Sequence, residues 1–161
     1  MLNSTNTIFY VVSLDKDKKR RESVISQLKK QKIKDYEIIS AVDGRLLSDE
    51  ELNKKVYINH KNKFKWNIKL SKSEIGCALS HLKIYRDFLS SNYKYAVIFE
   101  DDMIFNYSFD NEIKNLVYNS FSEKKQVVLL GELKQFFKKA ILKSKNYKIV
   151  KTETAFFTHS Y

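Results

Sequence analysis

The chain has 161 residues, 43% of them hydrophobic and 14% aromatic, enough to bury one core and too apolar for a disordered tail. Its three glycines, Gly44, Gly76 and Gly131, lie too far apart for a dinucleotide fingerprint or a P-loop; the lack of proline excludes collagen-like and Pro-rich segments, and a single cysteine, Cys77, excludes an internal disulfide. Thirty Lys+Arg against nineteen Asp+Glu give a net charge of +11, which favours anionic partners, but only Arg20, Arg21, Arg45 and Arg86 are arginine, which argues against a dedicated nucleic-acid reader and leaves lysine-rich solvation, with peripheral contact to an anionic membrane as an addition.

In chain order, Met1 to Asn6 lacks the charged and apolar regions of a leader peptide, and apolar runs such as Ala96 to Phe99 are too short to span a bilayer. We read a soluble chain of a reducing cytoplasm. Thr7 to Leu14, rich in β-branched and aromatic residues, predicts a buried strand. Asp15 is placed to cap a helix over about 16–32, with Val24, Ile25 and Leu28 on its apolar side. Tyr36 to Val42 predicts a second strand, closed by the turn pair Asp43-Gly44, where glycine would supply a positive φ. Ser48 to Glu51 has capping-box spacing and predicts a short helix; about 54–69 is aperiodic and predicts a loop.

A second capping box, Ser71 to Glu74, opens the most regular helix, whose apolar side is predicted to be Ile75, Ala78, Leu79, Leu82, Tyr85 and Leu89. Tyr95 to Phe99 predicts a buried strand, about 111–120 a polar helix, Val127 to Gly131 another strand, and the segment from about Tyr147 onward strand-like pieces. Strands alternating with helices predict an α/β fold with a mainly parallel sheet, in one domain over 1–161.

Glu100-Asp101-Asp102 directly follows a buried strand. Three successive carboxylates repel one another, and ligands in open α/β sheets bind beyond the carboxyl ends of strands. Strand alternation puts Glu100 and Asp102 on one side, a pair suited to Mg²⁺ or Mn²⁺; a solvated turn that caps the next segment is the alternative. Glu74, Cys77 and His81 share one helical stripe. No orienting third residue supports a Cys-His nucleophile, and the stripe offers too few ligands for zinc. Cys77 is expected to be a small buried packing residue and His81, taken alone, a satisfied core histidine.

The stretch Ser71 to His81, followed by Ala96 to Asp102, resembles glycosyltransferase family 25, the bacterial lipopolysaccharide and lipooligosaccharide galactosyltransferases and their collagen-modifying relatives. The family pattern is roughly L-[ST]-x-x-E-I-G-C-x-x-S-H, then a strand ending in E-D-D. Val12-Ser13-Leu14 with Arg20-Arg21-Glu22, and Ala41-Val42-Asp43-Gly44, are similar to two earlier family blocks; Asp15 to Lys18 departs where an arginine often follows the S-L pair.

The resemblance implies a nucleotide-sugar-binding fold of the GT-A type, and metal-dependent, inverting transfer from a UDP-sugar, commonly UDP-galactose, to a lipid-linked saccharide. It makes Asp102 and Glu100 the metal ligands, with Asp101 or Glu100 available to the ribose or a metal-bound water. It alone makes His81 serve the site rather than the core. Ser13, Leu14, Asp43 and Gly44 would flank the nucleotide, and Arg20 or Arg21 would reach phosphate or base; an exposed pair with Asp17 is the alternative for Arg21. The general base would be Glu132, with Glu153 and His159 behind it. Ala155 to Tyr161 resembles the start of a later family strand, so the acceptor side is expected to be missing. Two readings compete: an inactive nucleotide-sugar-binding domain, and a basic module for nucleic acid or anionic membrane.

Overall fold

The computed structural model describes residues 6–55, 70–105, 140–143 and 148–150. The chain divides into two compact units, Met1–Phe109 and Asp110–Tyr161. In the first, chain order is β1 (Thr7–Ser13), α1 (Lys18–Lys30), β2 (Tyr36–Ser40), a 3-10 turn (Gly44–Leu46), α2 (Asp49–Lys55), α3 (Lys72–Ser90) and β3 (Tyr95–Glu100). The second contributes the antiparallel pair β4 (Ala140–Lys143) and β5 (Lys148–Val150), with an irregularity between Ala140 and Leu142. The helix expected near 111–120, the strand near 127–131, and Glu132, Glu153 and His159 lie outside the described residues.

The three strands of the first unit form a parallel sheet in the order β2-β1-β3, as the alternation of strands and helices predicts. This is an α/β arrangement of sheet and flanking helices consistent with a GT-A-like fold. Central β1 alternates its side chains between two faces. Ile8, Tyr10 and Val12 form one core cluster with Ile84 of α3, joined by Ile39, Phe88, Ala96 and Ile98. The other face carries Phe9 stacked on Phe99, whose ring meets Phe105 edge-on. Helix α1 buries Val24 and Leu28 completely. Burial of these aliphatic side chains stabilises the unit by about 1.5–3 kcal/mol each.

Local chemistry sets the helix ends. Asp17, not Asp15, occupies the N-cap position of α1 and makes no side-chain cap bond there. At the other end Lys32 takes φ 60°, and Lys32 and Ile33 donate their N–H groups to the carbonyls of Lys29 and Leu28, a Schellman closure. Both expected capping boxes form: Ser48 with Glu51, and Ser71 with Glu74.

The apolar side expected for α3 is corrected. Ile75 is buried, but the rest of the inward face is Gly76, Ser80 and Ile84, while Ala78, Leu82, Tyr85 and Leu89 are exposed and Leu79 is half-buried. The reason is the close seat of the first turns of α3 on the 3-10 turn. A methyl group on Gly76 would lie 2.5 Å from the Val42 carbonyl oxygen. Small residues, rather than the most hydrophobic ones, therefore define the face that turns inward. Gly44 is needed for the same approach and not for a left-handed backbone, since no described glycine has positive φ.

Candidate functional site

Parallel pairing aligns the carboxyl ends of the three strands. Ser13 is paired with Ser40, and Glu100 with Val12. The order β2-β1-β3 makes the gap between β1 and β3 a topological switch point, where the chain leaves β1 toward one neighbour and returns on the other side. The ends of these strands and the loops that follow them carry Ser13, Leu14, Asp43, Gly44, Glu100, Asp101 and Asp102.

After β1, Arg21 gathers the loop. Its guanidinium donates to the Ser13 hydroxyl at 3.4 Å, the Leu14 carbonyl at 3.2 Å and the Asp15 carboxylate at 3.1 Å. Its acidic partner is thus Asp15 rather than Asp17, because Asp15 points back over the loop toward Ser40, whose hydroxyl donates to it at 2.7 Å. The Ser40 bond first, and Arg21 second, hold the Asp15 carboxyl below its ordinary value. Ser13 itself is buried.

After β2, Asp43 accepts from Arg45 and from Lys16, each at 2.8 Å. These two cations, Arg45 foremost, hold its carboxyl far below the carboxylate range. Asp43 also accepts from the Arg45 backbone N–H, which starts the 3-10 turn. Ser80 ties the end of β2 to α3: its hydroxyl accepts from the Val42 N–H at 2.8 Å and donates to the Gly76 carbonyl at 2.7 Å. Lys83 donates to the Ser40 carbonyl at 2.8 Å.

After β3, the three acids separate. Met103 N–H donates to the Glu100 carbonyl at 3.3 Å, so the chain turns at Asp101-Asp102 and strand alternation ends there. Glu100 points to α3, where its Oε1 lies 3.4 Å from His81 Nε2 and 3.8 Å from Cys77 Sγ. Asp101 faces α1 and pairs with Arg20 at 3.6 Å. Asp102 is exposed. The turn is held on its far side by Gln27 of α1, whose amide donates to the Met103 carbonyl at 3.0 Å and accepts from the Phe105 N–H at 2.9 Å.

Cys77 is exposed, which corrects its expected role as a buried packing residue. Gly76 and Ser80 take the inward positions, so the next residue round the helix, Cys77, and its i+4 neighbour His81 face the strand edge. Among the described residues, Cys77, His81 and Glu100 form the one group of three potential metal-binding side chains, with ligand atoms all within 4.8 Å of one another. Asp102 is not in it. His81 is raised to about 9, first by its hydrogen bond with Cys77 and then by Glu100, against the opposing effect of burial.

Sequence reasoning missed Ser80, Gln27, Lys16 and Lys83. The small-residue pair Gly76 and Ser80 at i+4, and the serine that precedes His81 in the family pattern, were the available signals for Ser80; nothing local marks Gln27 or the lysines. Among the described residues no helix is long and apolar enough to cross a membrane.

Comparison with known proteins adds family context. The model of glycosyltransferase family 25, described as an LPS biosynthesis protein family, matches residues 6–161. A Haemophilus influenzae protein provisionally named a glycosyltransferase is 39% identical over 94 residues, which is 58% of this chain and 32% of that protein. Human procollagen galactosyltransferase 2 is 26% identical over 113 residues, 68% of this chain and 18% of its own length. A mouse protein named inactive glycosyltransferase 25 family member 3 is 28% identical over 118 residues, 71% of this chain and 20% of its own. The chain thus spans a third or less of each of these relatives.

Proposed function

The chain belongs to glycosyltransferase family 25, and from that premise we propose that it forms the donor-binding part of a glycosyltransferase. It would bind a UDP-sugar with a divalent cation, Mn²⁺ or Mg²⁺, for transfer of the sugar, galactose in our reading, to a hydroxyl of a lipid-linked saccharide of the lipopolysaccharide or lipooligosaccharide type. The carrying observation is the convergence of three strand-end loops, with Arg20 spanning from α1 to Asp101, at the switch point of a parallel sheet.

Each group has a physical role in this reading. Asp102 and Glu100 offer carboxylate oxygens at the end of β3, the donor type that hard divalent cations take, and we assign the donor cation to them. When bound, that cation would offset the negative charge that develops on the leaving diphosphate. The first turn of α1 has no side-chain cap, so its N–H groups are open to a phosphate oxygen. Arg20 is placed to turn from Asp101 toward an incoming phosphate. Arg21 acts by positioning instead: its bonds keep Ser13 and Leu14 in the shape that would border the nucleotide. Asp43-Gly44 would border the nucleotide from the β2 side. His81 supports the site through Glu100. The base that takes the acceptor proton is assigned to Glu132, the carboxylate that follows the strand expected at Val127 to Gly131. We place the protein in the cytoplasm, with peripheral contact to anionic lipid through its excess lysine.

The second reading, favoured by the relative named inactive, is a domain that binds nucleotide-sugar without turning it over. Thermal shift with UDP, with and without Mn²⁺, tests the shared part. UDP should stabilise the protein only with Mn²⁺, and Asp102→Asn should weaken that effect while the fold survives. Unchanged UDP affinity in Asp102→Asn would overturn the metal assignment. Galactose transfer from UDP-galactose to lipooligosaccharide separates the two readings.

A further inference from the structure

The stripe of α3 that supplies Cys77 and His81 offers two side chains, and β3 adds a third. We propose that Cys77, His81 and Glu100 form a binding site for one zinc-class divalent cation, held by Cys77 Sγ, His81 Nε2 and a Glu100 carboxylate oxygen, with the fourth position open to water or an incoming ligand.

The donor set is the first argument. Thiolate, imidazole and carboxylate are the three side-chain ligands of zinc, and a soft sulfur selects against Mg²⁺ and Mn²⁺, which take oxygen. The site shares Glu100 with the all-oxygen donor cation assigned to Asp102 and Glu100, and differs from it by its sulfur and nitrogen donors. Spacing is the second. Around a four-coordinate zinc, adjacent S, N and O donors lie about 3.3–3.6 Å apart. The His81–Glu100 separation is 3.4 Å and the Cys77–Glu100 separation 3.8 Å, and all three atoms fall within 4.8 Å. Small side-chain rotations close the remainder.

Support and access complete the case. Cys77 and His81 sit one turn apart on a helix fixed by a double capping box and by the glycine contact at its start. Glu100 is anchored by the ladder of β3 with β1. The His81 ring lies against Tyr85, centroids 6.2 Å apart, which limits its rotation. Cys77 is exposed, and the His81 and Glu100 side chains keep 22% and 43% of their surface, so an ion and its water can reach the cluster. This inference rests on these three donors; it shares Glu100 with the donor cation of the transferase reading, and Asp102, which only the latter uses, tells the two apart.

Cobalt titration of the chelator-treated full chain, without nucleotide, tests it. A thiolate-to-cobalt charge-transfer band in the near ultraviolet should saturate at one equivalent and vanish on addition of Zn²⁺. The chain has one cysteine, so the band reports Cys77 alone. Cys77→Ser should abolish it. His81→Ala and Glu100→Gln should each weaken binding by at least about tenfold, with circular dichroism confirming the fold. Zn²⁺ should also slow alkylation of Cys77 in the unaltered protein. Asp102→Asn should keep the band, so that failure of the donor-site assignment is read separately from failure here. A missing band, equal cobalt affinity in His81→Ala, or saturation at half an equivalent would overturn the site.

Discussion

Gly44 and Gly76 meet backbone to backbone. A methyl group on Gly76 would stand 2.6 Å from the Gly44 nitrogen, and one on Gly44 would stand 2.9 Å from the Gly76 nitrogen and overlap the Lys72 carbonyl. Two short sequence blocks, one after β2 and one opening α3, are thereby locked as a single contact. It places Cys77 and His81 beside the end of β3.

Gly76→Ala should therefore destabilise the fold by about 1–3 kcal/mol, toward the upper end, because the atoms in the way are backbone and cannot rotate aside. The urea midpoint of the variant measures this. A midpoint equal to that of the unaltered chain would show that the contact can relax.

Ser80 is fully buried and holds the Val42 N–H. Ser80→Ala would leave that donor unpaired near the core, at a cost of about 1–3 kcal/mol. Thermal melting should fall accordingly, and amide exchange at Val42 should accelerate. Protection of that amide in the variant would contradict the assignment.

Lys32 is exposed and sits at φ 60°, where a side chain is strained and glycine is not. Lys32→Gly should stabilise the protein by about 0.5–1 kcal/mol. Chemical denaturation that shows a loss would mean that Lys32 makes compensating contacts.

Glu74 closes the capping box of α3, and its bonds with Ser71, the backbone one first, hold its carboxyl below the ordinary glutamate value. A depressed folded-state value contributes stability above the unfolded value and loses it as pH falls through the folded one. Glu74→Ala should thus be destabilising at neutral pH, and the gap to the unaltered protein should close as the solution is acidified below the glutamate range. A pH-independent gap would trace the effect to helix propensity instead. Ser71→Ala should cost about 1 kcal/mol across the range.

The sheet was legible because continuous runs of β-branched and aromatic residues such as Ile8 to Val12 have few other outcomes in a chain of this length. Both capping boxes were legible because cap and N3 residue are local. Two things were not. The inward face of α3 was misread because hydrophobicity says nothing about how closely two backbones approach, and here closeness selects Gly76 and Ser80 over Leu82 and Leu89. The acids after β3 were read with strand alternation, but the chain turns at Asp101, so Glu100 reaches α3 while Asp101 reaches Arg20. A turn bond between Glu100 and Met103 has no signature in residue type.

The glutamine on α1 that binds both Met103 and Phe105 gives the acidic turn a neighbour on each side, a sheet ladder before it and a helix-borne amide after it. With Arg20 on the same helix paired to Asp101, α1 holds the turn through two side chains, Gln27 and Arg20. The conformational entropy of that turn is then lost during folding rather than on ligand capture, so the proposed donor cation would meet a turn already ordered.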